Sequence, residues 1–328
     1  MFKKVLLVGC GQLGSRHLQA VASLEKVSEI HVLDPNPESI ELGKTRLAEM
    51  YDLNNNIKFY WHLEPNSSLT GGDLCIIATQ AKGRGEILKV AAKKYSYQKY
   101  LIEKVVAQSK GEYRDLIEFS NENGLSIWVN CKGRVYGIHK YIKTKLKTDE
   151  PIIFSDYGGN HGLGNNGVHA ADLFVFYDEI KKINIIGARI EPMLQVSKRG
   201  REVFDLSGSL YGSTNKGSDF VLSFTGNHNS PDQISIISPS GRFTVDHFQK
   251  FAWESYPDSD WEWRRIPINE NWMVSHMTKK FASDILNDGI CDLPMLEECF
   301  PAHEFILNQL LPHFNKLLKK SDDVCPIT

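Results

Sequence analysis

The stretch that decides the fold is VLLVGCGQLG, residues 5–14, followed at residues 30–34 by IHVLD. The apolar run before the first glycine predicts a buried strand, and the glycines predict a tight turn into a helix. The second apolar run predicts another strand, which ends at Asp34, 20 residues after Gly14. Strand, glycine turn, helix, strand and acid in this order predict the first βαβ unit of a dinucleotide-binding sheet.

The glycine turn predicts a site for a pyrophosphate. Gly9 allows the tight turn, Gly11 lets the backbone approach the phosphates, and Gly14 lets the helix pack closely on the strand. The helix begins at this turn, with Gln12 and Leu13 in it, and directs free N–H groups and its positive dipole end at the phosphates. The alternative is a glycine turn that binds no ligand.

Asp34 predicts which dinucleotide is bound. Its carboxylate can accept hydrogen bonds from a ribose 2′-hydroxyl but would repel a 2′-phosphate. Pro35, Asn36 and Pro37 place no cation directly after it. The sequence therefore predicts NAD as the cofactor, with NADP less favoured.

Composition argues against several other classes of function. A net charge of −2 offers no broad basic surface for nucleic acid or an anionic membrane. No segment approaches the ~20 apolar residues of a membrane span, and the short apolar run after Lys3-Lys4 predicts a strand rather than a signal peptide. The six cysteines show no CxxC or disulfide-like spacing. We therefore expect reduced thiols in a cytoplasmic protein without a metal site.

The pattern of elements predicts two domains. Residues 1–129 alternate strands and helices, which predicts an α/β fold with a doubly wound parallel sheet, a Rossmann domain. Residues 130–328 predict an α+β domain with helices over 139–147 and 167–178. The segment between Ile152 and Asn165 is expected to be a loop.

The rest of the second domain predicts a large, open, mostly antiparallel sheet. Extended segments without intervening helices run from about residue 183 to residue 268, and two helices close the chain. The helices of this domain can cover one face of the sheet. We therefore expect the other face to pack on a second copy, in a homodimer or homotetramer.

Two smaller motifs in this domain have alternative interpretations. Trp261 and Trp263 alternate with charged residues, which places both on one strand face. They are expected in the subunit interface or the core, with stacking on a sugar ring as the alternative. Arg199 and Arg201 predict a solvated turn, with a phosphate clamp as the alternative.

Two strand ends in the first domain carry candidate residues. Ala78-Thr79 ends the fourth strand, and Glu103-Lys104 ends the fifth. Ligands of doubly wound sheets bind beyond the carboxyl ends of the strands. A nicotinamide held at the glycine turn is therefore expected near both, with Lys104 able to exchange a proton with a substrate hydroxyl. The alternative for Lys104 is a surface lysine at a strand end.

The second candidate site is NNGVHAAD, residues 165–172. In a helix, Asn165, His169 and Asp172 share one polar face. That face suits substrate hydroxyls, with His169 relaying a proton and Asp172 fixing its tautomer. The alternatives are that Asn165 or Asn166 caps the helix and that His169 is a core histidine.

These motifs together resemble the Gfo/Idh/MocA oxidoreductases, which include glucose–fructose oxidoreductase and inositol dehydrogenase. The shared order is the glycine turn with Arg16-His17 after it, the strand ending at Ala78-Thr79, Glu103-Lys104 and the helix with His169. The similarity spans nearly the whole chain. The resemblance implies a Rossmann domain, an open-faced α/β domain, and final helices that pack partly back on the first domain. It also implies substrates that are sugars, polyols or nucleotide-sugars.

The resemblance also implies roles for particular residues. The family's Glu-Lys-Pro motif corresponds to Glu103-Lys104-Val105, and its Asp-x-x-x-His motif corresponds to Asn165 and His169. An arginine after the sixth strand corresponds to Arg134. By this correspondence Lys104 and His169 are catalytic. The substrate contacts expected are Arg134, Asn165 and Asp172, and Ala78, Thr79, Glu103 and Lys104 join the glycine turn and Asp34 at the cofactor.

The departure at Asn165 bears on function. An amide cannot take a proton or balance a charged Lys104 as the family's aspartate would. The sequence therefore predicts an NAD(H)-dependent oxidoreductase acting on a secondary alcohol of a sugar, polyol or nucleotide-sugar, and leaves two alternatives. One is a non-catalytic dinucleotide sensor of the same fold, and the other is an enzyme that keeps its cofactor bound and recycles it.

Overall fold

The computed structural model describes residues 2–159, 162–196 and 202–328. The expected arginine turn, Arg199 and Arg201, and the residues Asn160 and His161 lie outside the described residues. The helices are α1 Gly14–Ala22, α2 Pro37–Ala48, α3 Arg84–Tyr95, α4 Lys110–Glu122, α5 Gly137–Lys143, α6 Gly167–Asp178, α7 Val274–Asp288 and α8 Leu296–Leu318.

The strands belong to two large sheets and one short pair. They are β1 Lys3–Val8, β2 Val27–Leu33, β3 Lys58–His62, β4 Leu74–Ile77, β5 Lys99–Ile102, β6 Ser126–Val129, β7 Ile153–Gly159, β8 Asn184–Ile190, β9 Gln195–Val196, β10 Phe204–Asp205, β11 Gly208–Ser213, β12 Asp219–Thr225, β13 Gln233–Ser238, β14 Gly241–Asp246, β15 Phe251–Ser255 and β16 Arg264–Pro267.

The chain forms two compact units. Unit 1 comprises Met1–Ala107, Glu112–Asn130 and Asn271–Leu296, and unit 2 comprises Gln108–Gly111, Cys131–Glu270 and Glu297–Thr328. The main change from unit 1 to unit 2 falls after Asn130, one residue from the expected boundary.

Unit 1 is the predicted doubly wound domain. Its six strands are parallel and ordered β3-β2-β1-β4-β5-β6. The apolar residues of β1 and all of β4 are buried, as expected for central strands covered on both faces. Because β1, β4 and β5 are neighbours, their carboxyl ends meet at one edge of the sheet.

Helix starts in unit 1 follow local sequence signals. Asn36 caps α2, where its Oδ1 accepts a hydrogen bond from N–H of Glu38 at 3.0 Å, and Pro37 takes the first helical position.

Helix α7 comes from late in the sequence yet packs on α1. His17 Nδ1 lies 2.9 Å from Oγ1 of Thr278 across that contact.

Unit 2 contains the predicted open sheet. Its eight strands are ordered β16-β15-β14-β13-β7-β12-β11-β8, and all neighbours are antiparallel except β7 and β12. One face packs on α6, where the ring of Phe174 lies 5.9 Å from that of Phe154 and 5.2 Å from that of Phe220. This confirms the predicted fold class.

The prediction of a loop between Ile152 and Asn165 was wrong, because most of this segment forms the inner strand β7. The two glycines at its end suggested a turn. A Cβ on Gly159 would lie 2.2 Å from the backbone oxygen of His228, so the glycine serves the close approach of a neighbouring segment instead.

The expected strand placement of the tryptophans was wrong as well. Trp261 and Trp263 precede β16, in a turn where Trp261 has a φ of +62°. The guanidinium of Arg242 lies 4.9 Å from one ring and 4.8 Å from the other. Both rings are more than a third exposed, so neither belongs to the core of unit 2.

The second face of this sheet carries exposed apolar side chains. Ile153, Tyr157, Tyr211 and Ile237 are each about 40–50% exposed.

Among the described helices, none has the length and apolar character needed to cross a bilayer.

Candidate functional site

The three positions after β1 that carry glycine do so for different structural reasons. Gly9 has a φ of +89°, and a Cβ there would lie 3.0 Å from the backbone of Ala78 and Thr79. A Cβ on Gly14 would lie 1.9 Å from the backbone oxygen of Gly9. A Cβ on Gly11 would meet nothing within 4 Å. Packing within the chain therefore requires Gly9 and Gly14, whereas Gly11 leaves open space beside the turn.

Asp34 is fixed beside the glycine turn by backbone donors. It is 8% exposed, Oδ2 accepts a hydrogen bond from N–H of Cys10 at 2.7 Å, and Oδ1 accepts one from N–H of Asn36 at 2.9 Å. Each carboxylate oxygen can accept a further bond. Asp34 therefore keeps acceptor capacity toward a ligand while its position is set by β2 and the turn.

A cavity of about 720 Å³ adjoins this turn, lined among others by Gly9, Gly11, Asp34, Ala78 and Thr79. These are five of the residues predicted to bind the cofactor. The hydroxyl oxygen of Thr79 is buried and has no hydrogen-bond partner among the described residues. A buried polar atom without a partner is costly, so Thr79 is suited to hydrogen-bond a ligand in this cavity.

The edge of the sheet after β4 and β5 is held by Arg84, which sequence reasoning missed. Its side chain is 1% exposed and donates to the carbonyl oxygens of Glu103 at 2.8 Å, of Thr79 and of Val105. One guanidinium thus fixes both strand ends that carry candidate residues. The sequence signal that could have identified Arg84 is a charged residue at the start of a helix that follows a buried strand.

Glu103 is a buried, ionised carboxylate. Its Oε1 accepts hydrogen bonds at 2.9 Å from His17 Nε2 and at 2.5 Å from Asn130 Nδ2. Burial alone would raise its pKa, but the hydrogen bond and charge of His17, the bond from Asn130 and the charge of Lys104 outweigh burial and lower the pKa to about 2. Lys104 follows, is 6% exposed, and is joined to Val105 by a cis peptide bond.

The second candidate site lies in unit 2 at the start of α6. Asp205, another residue that sequence reasoning missed, accepts hydrogen bonds from the N–H groups of Gly164 at 2.6 Å and Asn165 at 3.0 Å. Asn166 takes the N-cap position without a capping side-chain bond, and Gly167 begins the helix. The backbone of Asn165 is therefore set by Asp205.

His169 and Asn166 line a cavity of about 270 Å³ in unit 2. Other lining residues include Lys132, Tyr136, His139, Asp156, Asp232 and His247. Of the residues predicted to contact substrate or transfer a proton in this unit, only His169 is among them. Asn165, Arg134 and Asp172 do not line this cavity.

Arg134 and Asp172 bind each other. The guanidinium Nε donates to Oδ2 of Asp172 at 2.8 Å and an Nη to Oδ1 at 2.5 Å, with both residues buried. Burial disfavours the charge on Arg134, but the carboxylate outweighs that effect and raises its pKa. Both carboxylate oxygens of Asp172 thus bind Arg134. From the sequence, we expected Asp172 to fix the tautomer of His169 instead. A role for either residue in contacting substrate stays a prediction.

A hydrogen-bonded chain of rings leads to the cavity of unit 2. His139 lies 2.6 Å from the hydroxyl of Tyr177 and 2.9 Å from Nε2 of His247, whose Nδ1 is 4.0 Å from Asp232. Burial, and then the neighbouring His247, lower the pKa of His139 well below its usual value, so it is neutral. Sequence reasoning missed this chain because its members come from separate elements.

Comparison with known proteins identifies the fold. No protein-family model and no curated protein sequence matches the chain. Several solved structures match nearly all of it, at 13–14% identity. An oxidoreductase from Agrobacterium radiobacter, in complex with NAD⁺, L-tartaric acid and magnesium, is 13% identical with a TM-score of 0.73, covering 96% of this chain and 97% of that one.

Two further structures have named oxidoreductase activities. A UDP-N-acetylglucosamine 3-dehydrogenase from Acidithiobacillus ferrooxidans is 14% identical with a TM-score of 0.71, covering 95% of this chain and 97% of the other. A 3-ketoreductase from Actinomadura kijaniata, in complex with NADP and TDP-benzene, is 13% identical with a TM-score of 0.70, covering 93% and 96%. At this identity the likeness establishes a shared fold.

Proposed function

We propose that this chain, which has the fold of the Gfo/Idh/MocA-type oxidoreductases, is an NAD(H)-dependent oxidoreductase. The observation that carries the proposal is one edge of the sheet in unit 1. The glycine turn follows β1, the unpartnered hydroxyl of Thr79 follows β4, and the buried Lys104 follows β5. Neighbouring strands bring these three features to the region where doubly wound sheets bind ligands.

The residues at this edge fit a dinucleotide. Gly11 leaves open space for a pyrophosphate, and the start of α1 offers N–H groups to its oxygens. Asp34 keeps lone pairs for ribose hydroxyls, and its negative charge disfavours a 2′-phosphate, which supports NAD over NADP. When bound, the nicotinamide supplies the hydride acceptor or donor.

Sugars are the substrate class that the neighbours favour. A dehydrogenase of UDP-N-acetylglucosamine and a 3-ketoreductase in complex with NADP and TDP-benzene share this fold. Transfer of their activity rests on analogy of fold. By that analogy we propose a secondary alcohol carbon of a sugar, polyol or nucleotide-sugar as the reacting centre.

The roles of two side chains follow from their chemistry. Lys104, beside the ionised Glu103, is proposed to hold or exchange the proton of the reacting hydroxyl. His169, in the cavity of unit 2, is proposed to orient that hydroxyl or relay its proton. Asn165, Arg134 and Asp172 stay predicted substrate contacts.

Two further expectations belong to this proposal. The second face of the sheet in unit 2 exposes Ile153, Tyr157 and Ile237, which supports packing of a second copy there. We also propose a cytoplasmic location, for which the support is the lack of disulfide-like spacing among the six cysteines.

The second candidate is a dinucleotide sensor without turnover. Asn165 favours it, because an amide cannot supply the proton acceptor that the family's aspartate provides. The Asn165→Asp variant discriminates between the two. Turnover that appears only in this variant identifies the natural chain as a sensor.

The test follows nicotinamide absorbance at 340 nm against a panel of sugars, polyols and nucleotide-sugars, together with NADH binding measured by calorimetry. We expect turnover with at least one panel member, and we expect Lys104→Ala to keep NADH affinity within about twofold. Loss of a group used for proton transfer should lower turnover by roughly 10²–10⁴-fold. The exposed Lys58→Ala variant is the matched control and should keep full activity. Unchanged turnover in Lys104→Ala would refute its catalytic role.

A further inference from the structure

One acidic side chain in the cavity of unit 2 has an unused oxygen. Asp156 lies on β7, is 4% exposed, and lines the cavity together with His169. Its Oδ1 is buried and has no hydrogen-bond partner among the described residues. Because a buried carboxyl oxygen without a partner is costly, this atom marks a place for a ligand group.

A second acid acts on this carboxyl from a different segment. Asp232, just before β13, lines the same cavity and is partly exposed. Burial first, and the negative charge of Asp232 second, raise the pKa of Asp156 well above its usual value. Two carboxyl groups this close to each other attract a cation, because a positive charge relieves their repulsion.

The other titratable groups that line the cavity are Lys132, Tyr136, His139, His169 and His247. His139 is neutral, as described above, and its two ring nitrogens contact Tyr177 and His247. The rings of Tyr136 and Phe224 form part of the wall. Aromatic faces attract an ammonium group through the negative charge of the ring face. The wall thus combines the two kinds of partner that ammonium groups find in proteins, carboxylates and aromatic rings.

We propose that the cavity of unit 2 binds an ammonium group, held by Asp156 and Asp232, and that the substrate is an amino sugar or amino polyol. This inference deepens the proposed function and rests on its assignment of the substrate to unit 2. When the ammonium group binds, the carboxyl of Asp156 releases its proton to solvent and an ammonium–carboxylate pair forms. Binding therefore strengthens as the pH rises, until the free amine itself loses its proton.

The test is calorimetric titration of the full chain with saturating NAD⁺. The probes are three amino sugars, namely glucosamine, galactosamine and 3-amino-3-deoxyglucose, with glucose, galactose and N-acetylglucosamine as uncharged counterparts. We expect at least one amine to bind tenfold or more tightly than its counterpart. Titrations in two buffers of different ionisation enthalpy should show release of up to one proton per amine bound.

Three variants assign the effect to the carboxyl groups. Asp156→Asn keeps the shape of the side chain and should reduce the preference for the amine at least tenfold. Asp232→Asn changes a partly exposed residue, so folding is not at stake, and should reduce the preference as well. Asp219→Asn, at the exposed start of β12, is the control and should leave it unchanged.

The proposal is overturned if every amine fails to bind, if each amine binds no more tightly than its counterpart, or if Asp156→Asn keeps the preference. Failure of the proposed function gives a different result. In that case the chain binds no NADH or shows no turnover, while titrations without NAD⁺ still show selective amine binding.

Discussion

Glu103 shows how a single charge can be built into the framework of a site. Its Oε1 is engaged by His17 and Asn130, so it is not free to contact a ligand through that oxygen. Its negative charge lies next to Lys104 in the chain and acts on it. We infer that Glu103 keeps an anion beside Lys104 at all physiological pH values.

The low pKa of Glu103 makes a prediction about acid stability. The folded pKa is about 2, against 4.5 for the ordinary side chain, so ionised Glu103 stabilises the fold above pH 4.5. That contribution, on the order of 3 kcal/mol, is lost as the pH falls from 4.5 to 2. We expect Glu103→Gln to be less stable at pH 7 and to lose less stability between pH 5 and pH 2.5. Urea unfolding across this range is the measurement.

The matched control is Glu118→Gln, which changes an exposed glutamate on α4 of the same unit. It should follow the natural chain at every pH. A Glu103→Gln variant with the same acid dependence as the natural chain would contradict the assignment.

At the scale of elements, the turn between β1 and α1 has one glycine required for packing, Gly14, and one available for ligand binding, Gly11. Gly14→Ala puts a Cβ 1.9 Å from the backbone oxygen of Gly9, so the helix must move away from the strand. We expect a loss of unfolding free energy of about 1–3 kcal/mol and weaker NADH binding. Gly11→Ala meets nothing within 4 Å, so stability should change by less than about 0.5 kcal/mol.

Ligand titration distinguishes the two glycines. Gly11→Ala should weaken NADH binding by about tenfold or more, because its methyl group occupies the space left for the pyrophosphate. Thermal unfolding and NADH calorimetry on both variants provide the check. Full NADH affinity in Gly11→Ala would count against a pyrophosphate at this turn.

The Arg134–Asp172 pair joins the short 3₁₀ segment after β6 to helix α6. Arg134→Met or Asp172→Leu alone leaves a buried charge without its partner, which typically costs 3–5 kcal/mol. The double variant buries no charge and should be more stable than either single one. Denaturant unfolding of all four proteins measures this coupling.

The control cycle uses Lys280 and Asp284, an i,i+4 pair on α7 with Nζ 2.5 Å from Oδ2. Both side chains are substantially exposed, so the coupling should stay below about 1 kcal/mol. Equal coupling in the two cycles would show that burial does not set the strength of the inner pair.

Local patterns explain which elements were predictable from sequence. The central strands of unit 1 are continuous apolar runs, and Asp34 follows Gly14 at the spacing typical of a dinucleotide-binding βαβ unit. In unit 2, β7 carries Asp156 and ends in glycines, so it lacked both the alternation and the apolar run that indicate a strand. The glycines there serve close contacts with residues distant in sequence.

The candidate site was predictable only in part for the same reason. Lys104 and His169 lie within short motifs that stand out in the sequence. Asp156, Asp232 and His247 come from three separate segments, and only the pairing of β7 with β13 and of β13 with β14 brings them to one cavity. Pairings between distant segments have no local signature in a single sequence.

At the scale of the whole molecule, the open sheet predicts assembly. Ile153 and Ile237 are cross-strand partners on its exposed face, and burying them against a second copy removes apolar surface from water. We expect light scattering to give two or four times the 37.2 kDa of one chain. The Ile153→Asp/Ile237→Asp variant should lower that mass toward one chain.

Ile290→Asp is the control, because it introduces the same charge at an exposed isoleucine of unit 1. It should leave the mass unchanged. A natural chain that scatters as a monomer at micromolar concentration would contradict assembly through this face.

The return of α7 to unit 1 has a consequence during synthesis on the ribosome. Unit 1 takes its last segment from Asn271–Leu296, including the helix that packs on α1 and contacts His17. A nascent chain that has reached Asn130 therefore holds all six parallel strands but lacks the cover of α1. Apolar surface of α1 stays open until Asn271–Leu296 has been made, and a nascent chain needs protection from aggregation during that interval.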